Sequence, residues 1–113
     1  MLARLFRFHG HQAVRRSYRA GRAVRGSIGS LHAHSDSKSS FKVAVVVSKK
    51  VHKSAVVRNR IRRRIFEIVR LQKTAINKPV ELIFTVYEVK TASMPAEELK
   101  SEIHDLLRKA KLL

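Results

Sequence analysis

The sequence contains no cysteine and no tryptophan, and only 8 of its 113 residues are acidic. The absence of cysteine excludes disulfides, thiolate zinc sites, iron–sulfur clusters and cysteine nucleophiles. No apolar stretch approaches the ~20 residues that cross a bilayer as a helix, and none follows the first charges as the apolar core of a secretory signal would. Acids are also too few for autonomous two-metal hydrolysis, which needs clustered carboxylates.

Positive charge is what the chain has in excess: 25 lysines and arginines against 8 acids give a formal net charge of +17. Residues 1–66 hold 17 of these cations and one acid, Asp36, whereas residues 67–113 hold 8 cations and 7 acids. Self-repulsion on this scale strains a small fold unless a polyanion lies against it. Because 44% of the residues are hydrophobic, a wholly disordered basic tail is disfavoured. The sequence therefore predicts one polyanion-binding domain over residues 1–113, with residues 1–10 as a flexible basic arm.

The hydrophobic pattern predicts an α+β fold with the element order αβββαβα and a small sheet packed by helices. The predicted helices cover residues 11–20, 55–72 and a final segment started by Ser93; the predicted strands cover 24–28, 30–34, 41–48 and 80–89. Residues 41–48 are almost continuously apolar, which favours a strand covered on both faces. That strand would form a hairpin with residues 30–34 around the serine-rich segment 35–40.

A dense run of cations separates the strand over 41–48 from the helix over 55–72. A loop with three lysines leads into five arginines within seven residues: Arg58, Arg60, Arg62, Arg63 and Arg64. Cations at a helix N-terminus oppose its macrodipole, and no acid interleaves them before Glu67. A solvated polar face is the simpler interpretation, but an RNA or DNA backbone would offset this charge directly.

This segment resembles the protein component of bacterial ribonuclease P. That family has a strand ending in Ser-Lys-Lys, a short loop, and Ala-x-x-Arg-Asn-x-x-Lys-Arg on a helix. The matching residues here are Ser48, Lys49, Lys50, Ala55, Arg58, Asn59, Arg62 and Arg63. His52 stands where family members usually have glycine, in a loop one residue longer, and Val14 replaces an aromatic residue of the first helix.

The resemblance implies a fold similar to the second domain of a small-subunit ribosomal protein, with a left-handed βαβ crossover against the usual rule. It implies the protein subunit of a cytoplasmic ribonucleoprotein endonuclease that removes the 5′ leader from precursor tRNA. Its partners would be the catalytic RNA and precursor tRNA, with no membrane and no small-molecule substrate. Mg²⁺ bound to that RNA would perform the hydrolysis, so no catalytic residue or metal ligand is expected on the protein.

Two groups of site residues follow from the resemblance. The residues expected to bind RNA are Lys49, Lys50, Lys53, Arg58, Asn59, Arg60, Arg62, Arg63 and Arg64. The residues expected to contact the single-stranded leader by stacking and backbone charge are Arg15, Tyr18, Arg19 and, if it faces outward, Phe41.

Several other interpretations stay open on the sequence alone. A ribosomal or RNA-chaperone protein would carry the same basic surface without any processing role. A helix–turn–helix DNA-binding protein would need a short helix and a tight turn before the basic helix, and neither is present. An arginine-rich start also occurs in mitochondrial transit peptides, but Gly10 and Gly21 interrupt this one. The pairs His9/His11 and His32/His34 have the spacing to share one strand face and could in principle bind zinc.

Overall fold

A computed structural model describes residues 22–35, 41–76 and 79–113, which form a mixed four-stranded sheet and two α-helices. The elements are β1 (Arg22–Arg25), β2 (Gly29–His34), β3 (Lys42–Val47), α1 (Ala55–Ile76), β4 (Glu81–Val86), a 3-10 helix (Val89–Ala92) and α2 (Ala96–Lys109). This order confirms the predicted α+β class. The predicted arm over 1–10 and the predicted helix over 11–20 lie outside the described residues. Within the described residues, no helix combines the length and apolar character needed to cross a membrane.

The strand order is β1-β2-β4-β3, so β4 is an interior strand that lies between β2 and β3. β1 and β2 form an antiparallel hairpin, β2 pairs antiparallel with β4, and β3 pairs parallel with β4. The predicted hairpin between residues 30–34 and 41–48 is therefore wrong, because β4 inserts between those two strands. Three consecutive residues of β4, Leu82, Ile83 and Phe84, are buried, and a strand that is apolar on both sides gains most from an interior position.

β3 is an edge strand, and its burial alternates. Val43, Val45 and Val47 are buried, whereas Val46 is 37% exposed. The predicted coverage of this strand on both faces is thus wrong, because only the side facing the helices is fully buried and Val46 points to the opposite face of the sheet. The unit β3–α1–β4 joins two adjacent parallel strands; its left-handed crossover and the likeness to a ribosomal protein stay predictions.

The hydrophobic core lies between one face of the sheet and both helices. Leu31, Phe84 and Val45 are neighbours across three strands on this face. The helices supply the opposite wall with Ile61, Ile65 and Val69 from α1 and Leu99, Ile103, Leu106 and Leu107 from α2, all at most 2% exposed. These side chains recur at helical spacing and form one apolar stripe on each helix.

The start of α2 differs from the prediction. The helix begins at Ala96, and Pro95, which has no side-chain cap, occupies the N-cap position that was expected for Ser93. The preceding chain forms the 3-10 helix instead, where the buried Thr91 donates its hydroxyl to the Glu88 carbonyl at 2.6 Å. Glu97 and Glu98 lie in the first turn of α2, as expected for acids beside the positive end of a helix dipole.

We expect His104 of α2 to make the protein less stable in mild acid. Burial lowers the pKa of His104, Lys100 and Arg108 lower it further, and Asp105 opposes them. Its Nε2 has no hydrogen-bond partner among the described residues. The unfolded chain therefore binds this proton more readily, so the stability present above the unfolded pKa of about 6.5 is lost as pH falls below it. His104→Gln should shrink the fall in unfolding free energy between about pH 7 and pH 5, measured by urea titration. An unchanged fall would rule His104 out as its source.

Candidate nucleic-acid interface

The segment Ser48–Ser54, here called the lysine loop, leaves the end of β3 and enters α1. The Val51 amide donates to the Ser48 carbonyl at 3.0 Å and closes a turn. Lys49, Lys50 and Lys53 are all exposed, and none has a hydrogen bond or ion pair within the described ranges 22–35, 41–76 and 79–113. The loop therefore presents three ammonium groups to solvent from an ordered backbone.

Two side chains brace this loop from within. The Ser54 amide donates to His52 Nδ1 at 3.0 Å, and this bond requires Nδ1 to be unprotonated. Arg58 reaches back from the first turn of α1, where its Nη1 donates to the carbonyls of His52 and Lys53 at 3.4 and 3.5 Å. Arg58, predicted as an RNA contact, thus also ties the helix to the loop.

Ser54 is the N-cap of α1. Its Oγ accepts the Val57 amide at 3.4 Å, and its carbonyl accepts the Arg58 amide at 3.1 Å. The first turn of α1 contains no acid, so nothing negative in this turn balances the positive end of the helix dipole. An anion is favoured there by the dipole and by the nearby cations together.

The remaining arginines of α1 fall into two groups. Arg60 and Arg63 are exposed on the side of α1 away from its apolar stripe, and neither has a partner among the residues that the structure describes. Arg62 donates to Asn59 Oδ1. Arg64 donates to the Thr91 carbonyl at 2.7 Å and to the Met94 carbonyl, so its guanidinium holds α1 against the 3-10 helix.

The arginines one turn apart repel each other. Burial lowers the pKa of Arg62 and Arg58 lowers it further, while burial and then Arg60 do the same for the pKa of Arg64. All four guanidinium groups remain charged at neutral pH, and like charges at i and i+4 destabilise a helix. A polyanion bound along this side of α1 would relieve that repulsion.

The strongly basic part of α1 ends at Glu67. Arg70 donates to both carboxylate oxygens of Glu67, at 3.2 and 2.5 Å, and lowers the pKa of that carboxyl. The exposed cations without a described partner are therefore concentrated on the lysine loop and the first half of α1. We call this set the basic face: Lys49, Lys50, Lys53, Arg60 and Arg63.

The residues predicted for leader contact are not brought together in the described ranges. Arg15, Tyr18 and Arg19 lie outside them. Phe41 is only 8% exposed and belongs to the hydrophobic core, on the same side of its strand as Val43. The condition that Phe41 faces outward is not met, because it follows the core-facing alternation of β3, so this residue is withdrawn from the predicted leader contacts.

The face of the sheet opposite to α1 and α2, here called the second face, carries both polar and apolar side chains, among them His32 and His34, which share one strand face as predicted. It presents Ser30, His32 and His34 from β2, Lys42, Ala44 and Val46 from β3, and Glu81, Ile83 and Thr85 from β4. Just beyond β4, the Tyr87 hydroxyl donates to Ser30 Oγ at 2.9 Å. Because Leu82, Phe84 and Val86 alternate along β4 toward the core, the residues between them point to the second face. Within the described residues, no three potential ligands of the His, Cys, Asp or Glu type lie together as a metal site.

Comparison with known proteins assigns the chain to a family. Residues 2–111 match the sequence profile of the family described as Ribonuclease P. The chain belongs to the ribonuclease P protein family. A Ribonuclease P protein component from Pseudanabaena sp. is 34% identical over 115 aligned positions, which cover 100% of this chain and 97% of that protein. Another from Synechococcus sp. is 39% identical over 71 positions, covering 63% of this chain and 53% of that protein.

Solved structures of ribonuclease P proteins share the fold. The Staphylococcus aureus RNase P protein superposes with a TM-score of 0.83 at 23% identity, covering 95% of this chain and 96% of that one. The Thermotoga maritima RNase P protein gives 0.79 at 16% identity, covering 91% and 96%. At such low identity the likeness concerns the arrangement of the backbone.

We expect His52 to hold the lysine loop of this ribonuclease P protein in one conformation. His52→Ala removes the acceptor of the Ser54 amide, so we expect faster hydrogen exchange at Ser54 and a loss of RNA affinity of about three- to tenfold, equivalent to one ordinary hydrogen bond. His52→Asn is the matched variant, because its Oδ1 can accept the amide two residues later. It should recover most of both losses. Equal behaviour of the two variants would show that the Nδ1 bond does not order the loop.

Proposed function

We propose that this ribonuclease P protein binds the catalytic RNA subunit in the cytoplasm and, within that complex, precursor tRNA. The observation that carries the proposal is the basic face, which gathers five exposed cations around the capped N-terminus of α1. Its backbone is ordered before any RNA binds, through the bonds of His52, Ser54 and Arg58. A backbone that is already ordered loses little conformational entropy when the side chains on it bind phosphates.

The proposal assigns phosphodiester hydrolysis to Mg²⁺ held by the RNA rather than to the protein. Glu81 begins β4 and is buried, whereas Glu88 follows the end of that strand. Seven residues of near-extended chain place their backbones roughly 20 Å apart, too far for the two-metal geometry of about 4 Å. The protein would therefore hold and orient RNA, with Arg15, Tyr18 and Arg19 contacting the 5′ leader.

Cleavage of precursor tRNA at limiting Mg²⁺ tests this function. A bacterial ribonuclease P RNA should remove the leader much faster with this chain than without it, because the bound cations replace part of the Mg²⁺ that screens the RNA. The chain alone should not cleave. Cleavage by the chain alone would contradict the division of roles, and binding without stimulation would instead favour a ribosomal or RNA-chaperone protein.

A further inference from the structure

Tyr87 is an exposed aromatic residue that is held at both ends. Its amide donates to the Ile28 carbonyl at 2.9 Å, and its hydroxyl donates to Ser30 Oγ at 2.9 Å. Ser30 is only 4% exposed, whereas Tyr87 remains 50% exposed. The side chain is thus fixed in orientation, and half of it is still open to solvent.

The ring lies on the second face of the sheet. Ser30 points away from the core-facing Leu31, so the hydroxyl bond places the Tyr87 ring on the same side as Ser30. Val46 is on this side too, opposite Thr85 in the parallel register, and is 37% exposed. The Tyr87 ring and the Val46 side chain are therefore both partly exposed on the second face.

This surface adjoins the basic face. β3 and β4 end together at the pair Val47–Val86. The lysine loop starts at the next residue of one strand, and Tyr87 is the next residue of the other. A polymer whose phosphates follow Lys49 and Lys50 can consequently bring an adjoining nucleotide to the Tyr87 ring.

The local chemistry favours a base over a phosphate at Tyr87. The phenol ring is uncharged, and the next two residues, Glu88 and Val89, add no positive charge that would attract a phosphate to it. An aromatic ring can stack on any of the bases, and this stacking typically contributes much of the binding affinity of a single nucleotide. Since both anchors already fix the side chain, little rotamer entropy is lost when a base lands on it.

We propose that Tyr87 is a stacking platform for one unpaired base of an RNA strand whose backbone runs along the lysine loop. The proposal rests on the proposed function only in taking RNA as the bound polymer. The base belongs either to the precursor leader or to an unpaired segment of the catalytic RNA, and the recognition chemistry is the same for both.

The test compares binding of the full chain to a single-stranded RNA of roughly ten nucleotides, within the range that single-strand binding surfaces cover, and to an abasic strand of equal length. Tyr87→Leu keeps apolar bulk and removes the ring. It should weaken binding to the base-bearing strand by about 5- to 100-fold and leave binding to the abasic strand unchanged. Tyr87→Phe keeps the ring and should stay within about threefold of the parent on both strands.

Two further variants separate stacking from charge and from folding. Lys49→Ala combined with Lys50→Ala should weaken binding to both strands alike, because phosphates are present in each. Ser30→Ala removes the oxygen that accepts the Tyr87 hydroxyl but keeps the Tyr87 ring. Thermal melting of every variant reports whether the fold is intact. If Tyr87→Leu melts like the parent and binds both strands like the parent, or weakens both equally, the stacking role is overturned.

The assembled complex identifies the source of the base. If Tyr87→Leu lowers affinity for precursor tRNA but not for mature tRNA, the base lies in the leader. If it lowers the affinity of the chain for the ribonuclease P RNA, the base lies in that RNA; either result supports the stacking role. The comparison with the abasic strand uses no ribonuclease P RNA, so its result does not depend on the proposed function. If the proposed function is wrong, the unmodified chain will fail to stimulate cleavage by that RNA.

Discussion

Replacing Arg60 and Arg63 together with alanine should weaken RNA binding by about 15- to 30-fold near 0.15 M salt and make it less sensitive to salt. Both side chains are exposed on α1 and have no partner among the described residues, so their charge is available to phosphates. Each lost phosphate contact should lower the slope of log affinity against log salt by roughly 0.7–0.9. Titrations at several salt concentrations measure both quantities.

The control for this variant removes the same charge elsewhere. Arg70 and Arg108 are also exposed, but they are paired with Glu67 and Asp105. The double variant Arg70→Ala, Arg108→Ala has the same net charge as the test variant and should keep the parent slope. Equal slopes for the two double variants would mean that RNA responds to total charge, and the basic face would lose its special role.

Of the two glycines in the β1–β2 hairpin, Gly26 and Gly29, we expect Gly29→Ala to destabilise the protein more. A Cβ at Gly29 would lie 2.0 Å from the Thr85 carbonyl oxygen and 2.9 Å from its carbon, both backbone atoms. Relief requires β2 and β4 to separate at the centre of the sheet. We expect a loss of at least about 3 kcal/mol of unfolding free energy, and a fall of roughly 10–20 °C in Tm.

Gly26→Ala is the matched substitution. Its added Cβ would meet Leu106 Cδ2 at 3.0 Å, the flexible end of a side chain that can shift by a few tenths of an ångström. Its cost should stay near 1 kcal/mol, at the lower end of overpacking effects. Thermal and urea melts of both variants decide the matter. If the two melt alike, the close approach of the β2 and β4 backbones at Gly29 does not limit the fold.

Periodicity was sufficient to predict the buried sides of α1 and α2, but not the order of the strands. The stripe of Ile61, Ile65 and Val69 gives the buried side of α1 without reference to any other element. Pairing depends instead on competition between strands. The apolar run of residues 41–48 suggested a covered strand, yet β4 takes the interior position because Ile83 is buried as well as Leu82 and Phe84. No local pattern reveals that competition.

The sequence predicted which residues form the candidate site, but not the hydrogen bonds that hold them in place. The spacing of cations marked the basic segment, in which Arg60 and Arg63 are exposed. The internal bonds of Arg58 and Arg64 were not predictable, because their partners are backbone carbonyls of a loop and of a 3-10 helix. Phe41 was expected to contact the leader only if it faced outward, and it lies instead in the core with Val43.

The interior position of β4 also has a consequence for how the chain folds during synthesis. β4 is the last strand to leave the ribosome, yet it is the one that joins β2 to β3. Until it arrives, the β1–β2 hairpin and the β3–α1 segment have no strand in common. Parallel pairing across a 22-residue helix is a slow, long-range step. The nascent chain therefore carries its cation-rich segment before it has a closed core, and an RNA that binds early would meet an unfinished sheet.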